Sequence, residues 1–315
     1  MLTKRQEAEL VTAIQGRGEV PLKFAYLGEG AKNWDSIAKE RVSTSGGINS
    51  IEANLLKKRM DDFISTLDKG KSVNLVDIGC GNGLPVVPIL QRLQEKNIPF
   101  TYVPMDISGE MIDLALNTVR SKFSDVVCKP FQMDFELGQF SDLMYEIKKD
   151  GSVNLMVFLG STLGNHSDLS RVLTNFRDSM TSKDYLIVGV ELTNIAKVNK
   201  IIPHYENSAA KALVSHTLSY LNISDKSFGY EVLWNDKNSQ IEMRAVFNKD
   251  VKAEIAGYSF VIEKDESILL AKSIKFTEYA ITKLFSDVGL RTELLTTSED
   301  RGYVLTMVQP TRYSI

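Results

Sequence analysis

Val73-Asn-Leu-Val-Asp77-Ile-Gly79-Cys-Gly81-Asn-Gly83 decides the fold of this chain. An apolar run ends in an acid, and glycine then takes every second position. The next segment, Leu84-Pro-Val-Val-Pro-Ile-Leu-Gln-Arg-Leu, has helical spacing, with Pro85 in the first turn, where a missing N–H costs little. The unit is a strand, a tight glycine turn and a helix. Such a turn lets bare backbone approach a bound ligand. Its spacing, D-x-G-x-G-x-G, differs from the G-x-G-x-x-G of dinucleotide binders.

Outward from this loop, strand-like and helix-like segments alternate. Phe100 to Asp106 reads as a second strand ending in an acid. Gly109 to Phe123 has helical spacing, with Met111, Ile112, Leu114, Ala115 and Val119 on one side. A third strand is expected within Val126 to Phe135, again near an acid, Asp134. A helix over Leu143 to Lys149 leads to a fourth strand, Val153 to Leu159, apolar throughout as buried parallel strands are. A helix over Leu169 to Met180 and a fifth strand over Tyr185 to Glu191 follow. This alternation predicts an α/β protein with a doubly wound, Rossmann-like sheet. Ligands of such sheets bind at the carboxyl ends of the strands, near the reversal of strand order. Asp77, Asp106, Asp134 and the loop after Leu159 fall on that edge.

The alternation stops after Glu191. Asn194 to Asn222 is helical in pattern. Glu231 to Trp234, Ile241 to Phe247, Ala253 to Val261 and Ile268 to Ile274 are strand-like and separated by turn residues, which predicts an antiparallel insertion. The first pattern returns with a helix over Thr277 to Val288, Gly289 as its C-cap, and strands over Arg291 to Thr297 and Tyr303 to Val308. The N-terminal region is helical in pattern, with a glycine-containing loop over Ser43 to Asn49. The expected division is a core of residues 63–193 plus 276–315 and a discontinuous α+β accessory domain of residues 1–62 plus 194–275.

Composition narrows the function. With 315 residues and 43% hydrophobic, the chain can bury a sizeable core. A formal net charge of −3 implies no basic face, so nucleic acid is not an expected partner. Two cysteines, Cys80 and Cys128, cannot build a metal cluster by themselves, and no metal is expected; as reduced thiols they fit a cytoplasmic protein. No segment is apolar for long enough to span a membrane, and the N-terminus lacks a signal core.

Several residues carry candidate chemistry. Asp106, at the end of the second strand, can accept both ribose hydroxyls of an adenosine; the alternative is a solvated strand-end acid. Asp134-Phe135 can meet an adenine, the acid accepting from the exocyclic amine and the ring offering a face. Cys80 lies where the loop needs backbone, and reads as a small filler. Phe158-Leu-Gly160-Ser-Thr-Leu-Gly164-Asn165-His166 lacks the Asn/Asp-Pro-Pro-aromatic motif of nucleic-acid amine methylation. Asn165 has a donor and an acceptor suited to an amino-acid carboxylate or amine, or else it caps a turn. His166 reads as a surface or capping residue, and His204 and His216 lack metal-site spacing.

The glycine loop resembles the first motif of class I S-adenosylmethionine (SAM)-dependent methyltransferases. Val76-Asp-Ile-Gly-Cys-Gly, Tyr102-Val-Pro-Met-Asp-Ile-Ser108 and Phe158-Leu-Gly-Ser-Thr-Leu-Gly-Asn165 are similar to motifs of the histidine-specific N-methyltransferases of ergothioneine biosynthesis. That family methylates an amino-acid α-amine with SAM and includes fungal enzymes for tryptophan or prenylated tryptophan. The resemblance implies a SAM site made by Asp77, Gly79, Gly81, Gly83, Asp106, Ser108, Asp134 and Phe135. It also implies a small amino-acid substrate held by Asn165, Tyr26 and Tyr205, with Trp34, Gly160, Met243, Ala271 and Ser273 around it. A monomer or weak homodimer is expected.

Departures bear on the substrate. Ala271-Lys-Ser273-Ile-Lys-Phe276 falls where the family has Glu-x-Ser-x-Lys-Phe, so an imidazole-binding glutamate is Ala271 here. A loop tyrosine near the substrate amine is replaced within Ser45-Gly-Gly-Ile-Asn, and the aspartate after the first tyrosine is Leu27. Exchanging a carboxylate for a methyl group removes an acceptor and opens space, which suits an aromatic, tryptophan-like side chain over histidine. Methylation of another small metabolite at N or O, or SAM binding without catalysis, remain the alternatives.

Overall fold

The computed structural model describes residues 2–43, 48–67, 71–148, 152–193 and 198–311. The chain falls into two compact units. One comprises Ala38–Gly164, Asp168–Thr193 and Phe276–Ile315; the other comprises Met1–Ile37, Asn165–Ser167 and Asn194–Lys275.

In chain order, helix α1 (Lys4–Arg17) starts at a reciprocal Thr3–Gln6 capping box and ends at Gly18, whose φ of 62° is left-handed. A 3₁₀ turn at Leu22–Tyr26 precedes α2 (Glu29–Ser43) and α3 (Ile48–Thr66). The glycine loop expected between α2 and α3 lies mostly outside the described residues. Strand β1 (Ser72–Ile78) leads through the glycine turn to α4 (Val87–Glu95). The proline in that helix's first turn is Pro88, not the expected Pro85. Strand β2 (Phe100–Asp106) and α5 (Gly109–Lys122) follow. The expected third strand is two short pieces, β3 (Val127–Cys128) and β4 (Phe131–Gln132). Pro130 between them has no N–H for the ladder, which explains the break. Next come α6 (Ser141–Ile147), β5 (Ser152–Phe158), α7 (Leu169–Asp178) and β6 (Tyr185–Glu191).

The helical stretch after β6 is three pieces, α8 (Val198–Ile201), α9 (Pro203–Glu206) and α10 (Ser208–Ser219), divided by Pro203 and by the Asn207 cap. Strands β7 (Phe228–Asn235), β8 (Gln240–Phe247), β9 (Val251–Ile255), β10 (Tyr258–Ile262) and β11 (Ser267–Ile274) follow. Residues 253–261, expected as one strand, are a hairpin. Ala256 and Gly257 turn it with φ of 50° and 82°, as a two-residue turn with both residues left-handed requires. Helix α11 (Glu278–Asp287) and strands β12 (Leu290–Thr297) and β13 (Tyr303–Pro310) complete the chain.

The first unit is a doubly wound sheet in the order β12-β13-β6-β5-β1-β2-β3, with β4 also on β2. β1 runs parallel to β2 and β5, and β5 to β6; β13 is antiparallel to β6 and β12. The chain winds outward from β1 to β2 and β3, then crosses to β5, so strand order reverses between β1 and β5. Helix α3 belongs to this unit. Its Leu55, Leu56, Met60 and Phe63 join Leu75, Ile89, Leu90 and Leu155 in one buried cluster. The division expected at residue 62 cuts through that helix, whose apolar stripe needs the sheet.

The second unit contains the antiparallel sheet β11-β8-β7 and the β9–β10 hairpin. Leu10 and Ile14 of α1, Val214 and Leu218 of α10, and Met243, Ala245, Phe247, Leu270 and Ala271 of the strands share its core. Among the described residues no helix is long and apolar enough to cross a membrane.

Candidate functional site

The glycine turn is built by its neighbours. Gly79, Gly81 and Gly83 have φ of 62°, 52° and 70°, where side chains are strained. A Cβ on Gly83 would lie 3.0 Å from the Ala115 backbone, so helix α5 can pack there only against glycine. The Cys80 N–H donates to the Met105 carbonyl at 3.1 Å, tying the turn to β2. Cys80 is buried, and burial pushes its thiol well up.

Carboxyl groups gather at this edge. Asp106 accepts the Gly81 N–H at 3.3 Å on one oxygen and the Ser108 N–H at 3.0 Å on the other. Burial raises its pKa to about 6. The Ile107 N–H also bonds this carboxylate, which keeps acceptor capacity for a further donor. Asp77 accepts the Tyr102 hydroxyl at 2.7 Å; burial, with the charges of Asp106 and Glu52, raises it to about 8. Ser108 caps α5 through the Met111 N–H at 3.4 Å and donates to Glu110 at 2.9 Å. Asp134 accepts the Glu136 N–H at 3.0 Å. The Phe135 ring is buried, 5.5 Å from Phe158 and 5.6 Å from Phe176.

Glu52 went unread in the sequence, yet it stands at the same edge. One of its oxygens accepts the Gly160 N–H at 2.9 Å and also a short hydrogen bond from the Tyr303 hydroxyl. Burial raises it to about 7. The signal was available: Glu52 is the acid on the stripe Glu52, Leu55, Leu56, Met60, Phe63, the buried face of α3. Gly160, read as a substrate contact, has its N–H committed to Glu52.

The second unit brings Tyr205 and Ser273 together around a residue the sequence reading passed over. Lys275 donates to the Tyr205 hydroxyl at 3.0 Å and to Ser273 Oγ at 2.9 Å, and its ammonium lies 5.4 Å from the Tyr205 ring centre. It is only 4% exposed. The Tyr230 hydroxyl donates to the Tyr205 carbonyl at 2.8 Å. Tyr26 and Trp34 meet edge to face at 6.4 Å. Met243 and Ala271 are direct partners across β8 and β11, both buried in the core. Asn165 is half-buried and lies beside a fixed anchor. Ser167 donates to both oxygens of the buried Glu19, at 3.1 and 3.0 Å, and Glu19 also pairs with Arg17 at 2.6 Å and Lys272 at 3.6 Å. Among the described residues no group of three or more His, Cys, Asp or Glu could hold a metal ion. The His216 ring hydrogen-bonds to the Tyr220 hydroxyl at 3.3 Å.

Comparison with known proteins agrees with this architecture. The family described as histidine-specific, SAM-dependent methyltransferases matches residues 7–310. The chain is 23% identical to the 4-dimethylallyltryptophan N-methyltransferase easF of Claviceps fusiformis, over 91% of this chain and 86% of that protein. It is 21% identical to the N-methyltransferase imqF of Aspergillus flavus, over 80% of this chain and 71% of that one. Among solved structures, the magnesium protoporphyrin IX methyltransferase of Synechocystis PCC 6803 with bound S-adenosylhomocysteine superposes with a TM-score of 0.50 at 10% identity, covering 91% and 96% of the two chains. At that identity the likeness concerns the fold, a class I methyltransferase sheet. The chain belongs to the SAM-dependent, histidine-specific methyltransferase family and is a SAM-dependent methyltransferase.

Proposed function

With that membership as premise, we propose that the protein methylates the α-amino nitrogen of a free amino acid whose side chain is aromatic, with histidine disfavoured. The observation that carries this reading is the Lys275–Tyr205–Ser273 cluster. A buried ammonium takes one acceptor position on each hydroxyl. Tyr205 donates its hydroxyl proton to Ser273 Oγ at 3.2 Å; turned toward a substrate, the two hydroxyls become donors beside a buried cation, which suits a carboxylate. Tyr205 and Asn165 hold the carboxylate in this reading, Tyr26 the amine, and Ser273 helps orient the substrate. Met243, Ala271 and Trp34 offer the side chain apolar surface. No carboxylate stands at position 271 to meet an imidazole. The names of the two fungal relatives favour the same direction, since one acts on a tryptophan derivative and both are N-methyltransferases.

The unit with the doubly wound sheet fits the cofactor. Left-handed Gly79 and Gly81 keep side chains off the turn while Gly83 lets α5 pack behind it, and Asp106 keeps acceptor capacity for a ribose hydroxyl. When bound, SAM supplies an activated methyl group. The chain's residues then align the acceptor nitrogen and exclude water. That nitrogen must be neutral to attack, and the α-amine of a free amino acid titrates above the α-amino terminus of a peptide because its own carboxylate stabilises the ammonium, so binding must also strip a proton from it.

A methyl-transfer assay compares tryptophan, tyrosine, phenylalanine, histidine and tryptamine. Tryptophan or another aromatic amino acid should give the highest kcat/KM, and tryptamine, which lacks the carboxylate, should lose at least tenfold. Histidine as the best substrate overturns the assignment of Ala271. Tryptamine equal to tryptophan overturns the carboxylate site. If none reacts, a metabolite outside this class is the substrate.

A further inference from the structure

Helix α3 presents one carboxyl group to the sheet. Glu52 is 1% exposed and sits on the same buried stripe as Leu55, Leu56 and Met60. Space for it is specifically made. A Cβ on Gly189 of β6 would fall 2.5 Å from a Glu52 oxygen and 2.5 Å from the Tyr303 hydroxyl. One carboxyl oxygen is fully used, by the Gly160 N–H and the Tyr303 hydroxyl. The other, Oε1, is shut off from solvent and accepts no hydrogen bond among the described residues. Buried polar atoms in folded proteins are nearly always paired, and leaving one unpaired is costly.

The position of Glu52 says what donor is required. Gly160 lies just past the carboxyl end of β5, beside β1, where the strand order reverses. Asp106 ends β2, the strand on the other side of β1. A cofactor with its ribose at Asp106 and its amino-acid arm across the glycine turn spans about two strand spacings, roughly 10 Å, to the β5 end. Asp77, Asp106 and Glu52 form a buried group of carboxyls, and among the described residues no cationic side chain pairs with any of them. The amino-acid arm of SAM carries an ammonium.

We propose that Glu52 binds the α-ammonium of SAM through Oε1, while Gly160 and Tyr303 hold its other oxygen in place. This rests on the SAM dependence of the family and not on the amino-acid substrate proposed above.

The test is calorimetric binding to the full chain, with S-adenosylhomocysteine and with its analogue in which the α-amino group is replaced by hydrogen. Wild type should bind the amine-free analogue about tenfold more weakly or worse, the loss of one charge-assisted hydrogen bond. Glu52→Gln should weaken S-adenosylhomocysteine by a similar factor, yet bind the two ligands alike. Equal affinity of the two ligands for wild type overturns the proposal, and needs no variant to fold. A Glu52→Gln protein that weakens both ligands equally and keeps the tenfold preference also overturns it, leaving Glu52 as a brace for the Gly160 backbone. Tyr303→Phe should retain the preference. Failure of wild type to bind S-adenosylhomocysteine would instead count against the cofactor.

Discussion

Asp106→Ala gives the sharpest test of the cofactor edge. In the proposed role the carboxylate accepts the two ribose hydroxyls beside the Gly81, Ser108 and Ile107 N–H groups that hold it. Each charge-assisted bond contributes about 1.5–3 kcal/mol, so losing both should cost about 3–6 kcal/mol of binding. That is roughly a hundred- to ten-thousand-fold in Kd. Stability should change much less. The two N–H groups lose their acceptor, at about 1–3 kcal/mol each. Against that, burial raises the carboxyl to about 6 in the fold, well above an ordinary aspartate, so keeping it ionised at neutral pH costs the folded protein about 3 kcal/mol. Removing it relieves that cost. Calorimetry with S-adenosylhomocysteine, alongside thermal melts of the ligand-free protein, separates the two effects. A folded Asp106→Ala protein with unchanged affinity would refute the ribose assignment.

Three further outcomes follow from the same geometry. Asp77, Glu52 and Asp106 are raised to about 8, 7 and 6, so their contribution favours folding below about pH 4 and is lost as pH rises through 6 to 8; Asp77→Asn should flatten the fall in melting temperature between pH 5 and 8, and an unchanged slope would count against burial as its cause. Gly83→Ala should lower the melting temperature and weaken S-adenosylhomocysteine binding, because φ of 70° and a Cβ 3.0 Å from the Ala115 backbone strain the turn by about 1–3 kcal/mol; a melt equal to wild type would show that α5 can shift. Lys275→Met should raise the KM for the amino acid about tenfold or more while S-adenosylhomocysteine affinity stays within twofold, a loss of about 1.4 kcal/mol or more at the carboxylate; equal weakening of both ligands would make Lys275 structural.

Local pattern alone determined the doubly wound sheet, its glycine turn and the return of the first pattern near the C-terminus. Those signals are short-range: an apolar run, an acid, left-handed glycines and a periodicity lie within a few residues of one another. The place of Asp106 at the carboxyl end of β2 was legible for the same reason, because a strand end predicts which edge its acid reaches. Strand breaks at Pro130 and the Ala256-Gly257 turn were also written locally, but the apolar content around them outweighed the turn signal in the reading. Glu52 and Lys275 belong to another kind of information. A lone acid on a helix stripe and a lysine just past a strand end look like ordinary solvated charges until folding buries them. Gly189 gains meaning only when Glu52 and Tyr303 arrive from distant parts of the chain. Burial in the tertiary structure decides these roles, because the cost of an unpaired charge or donor exists only once water has been removed from around it.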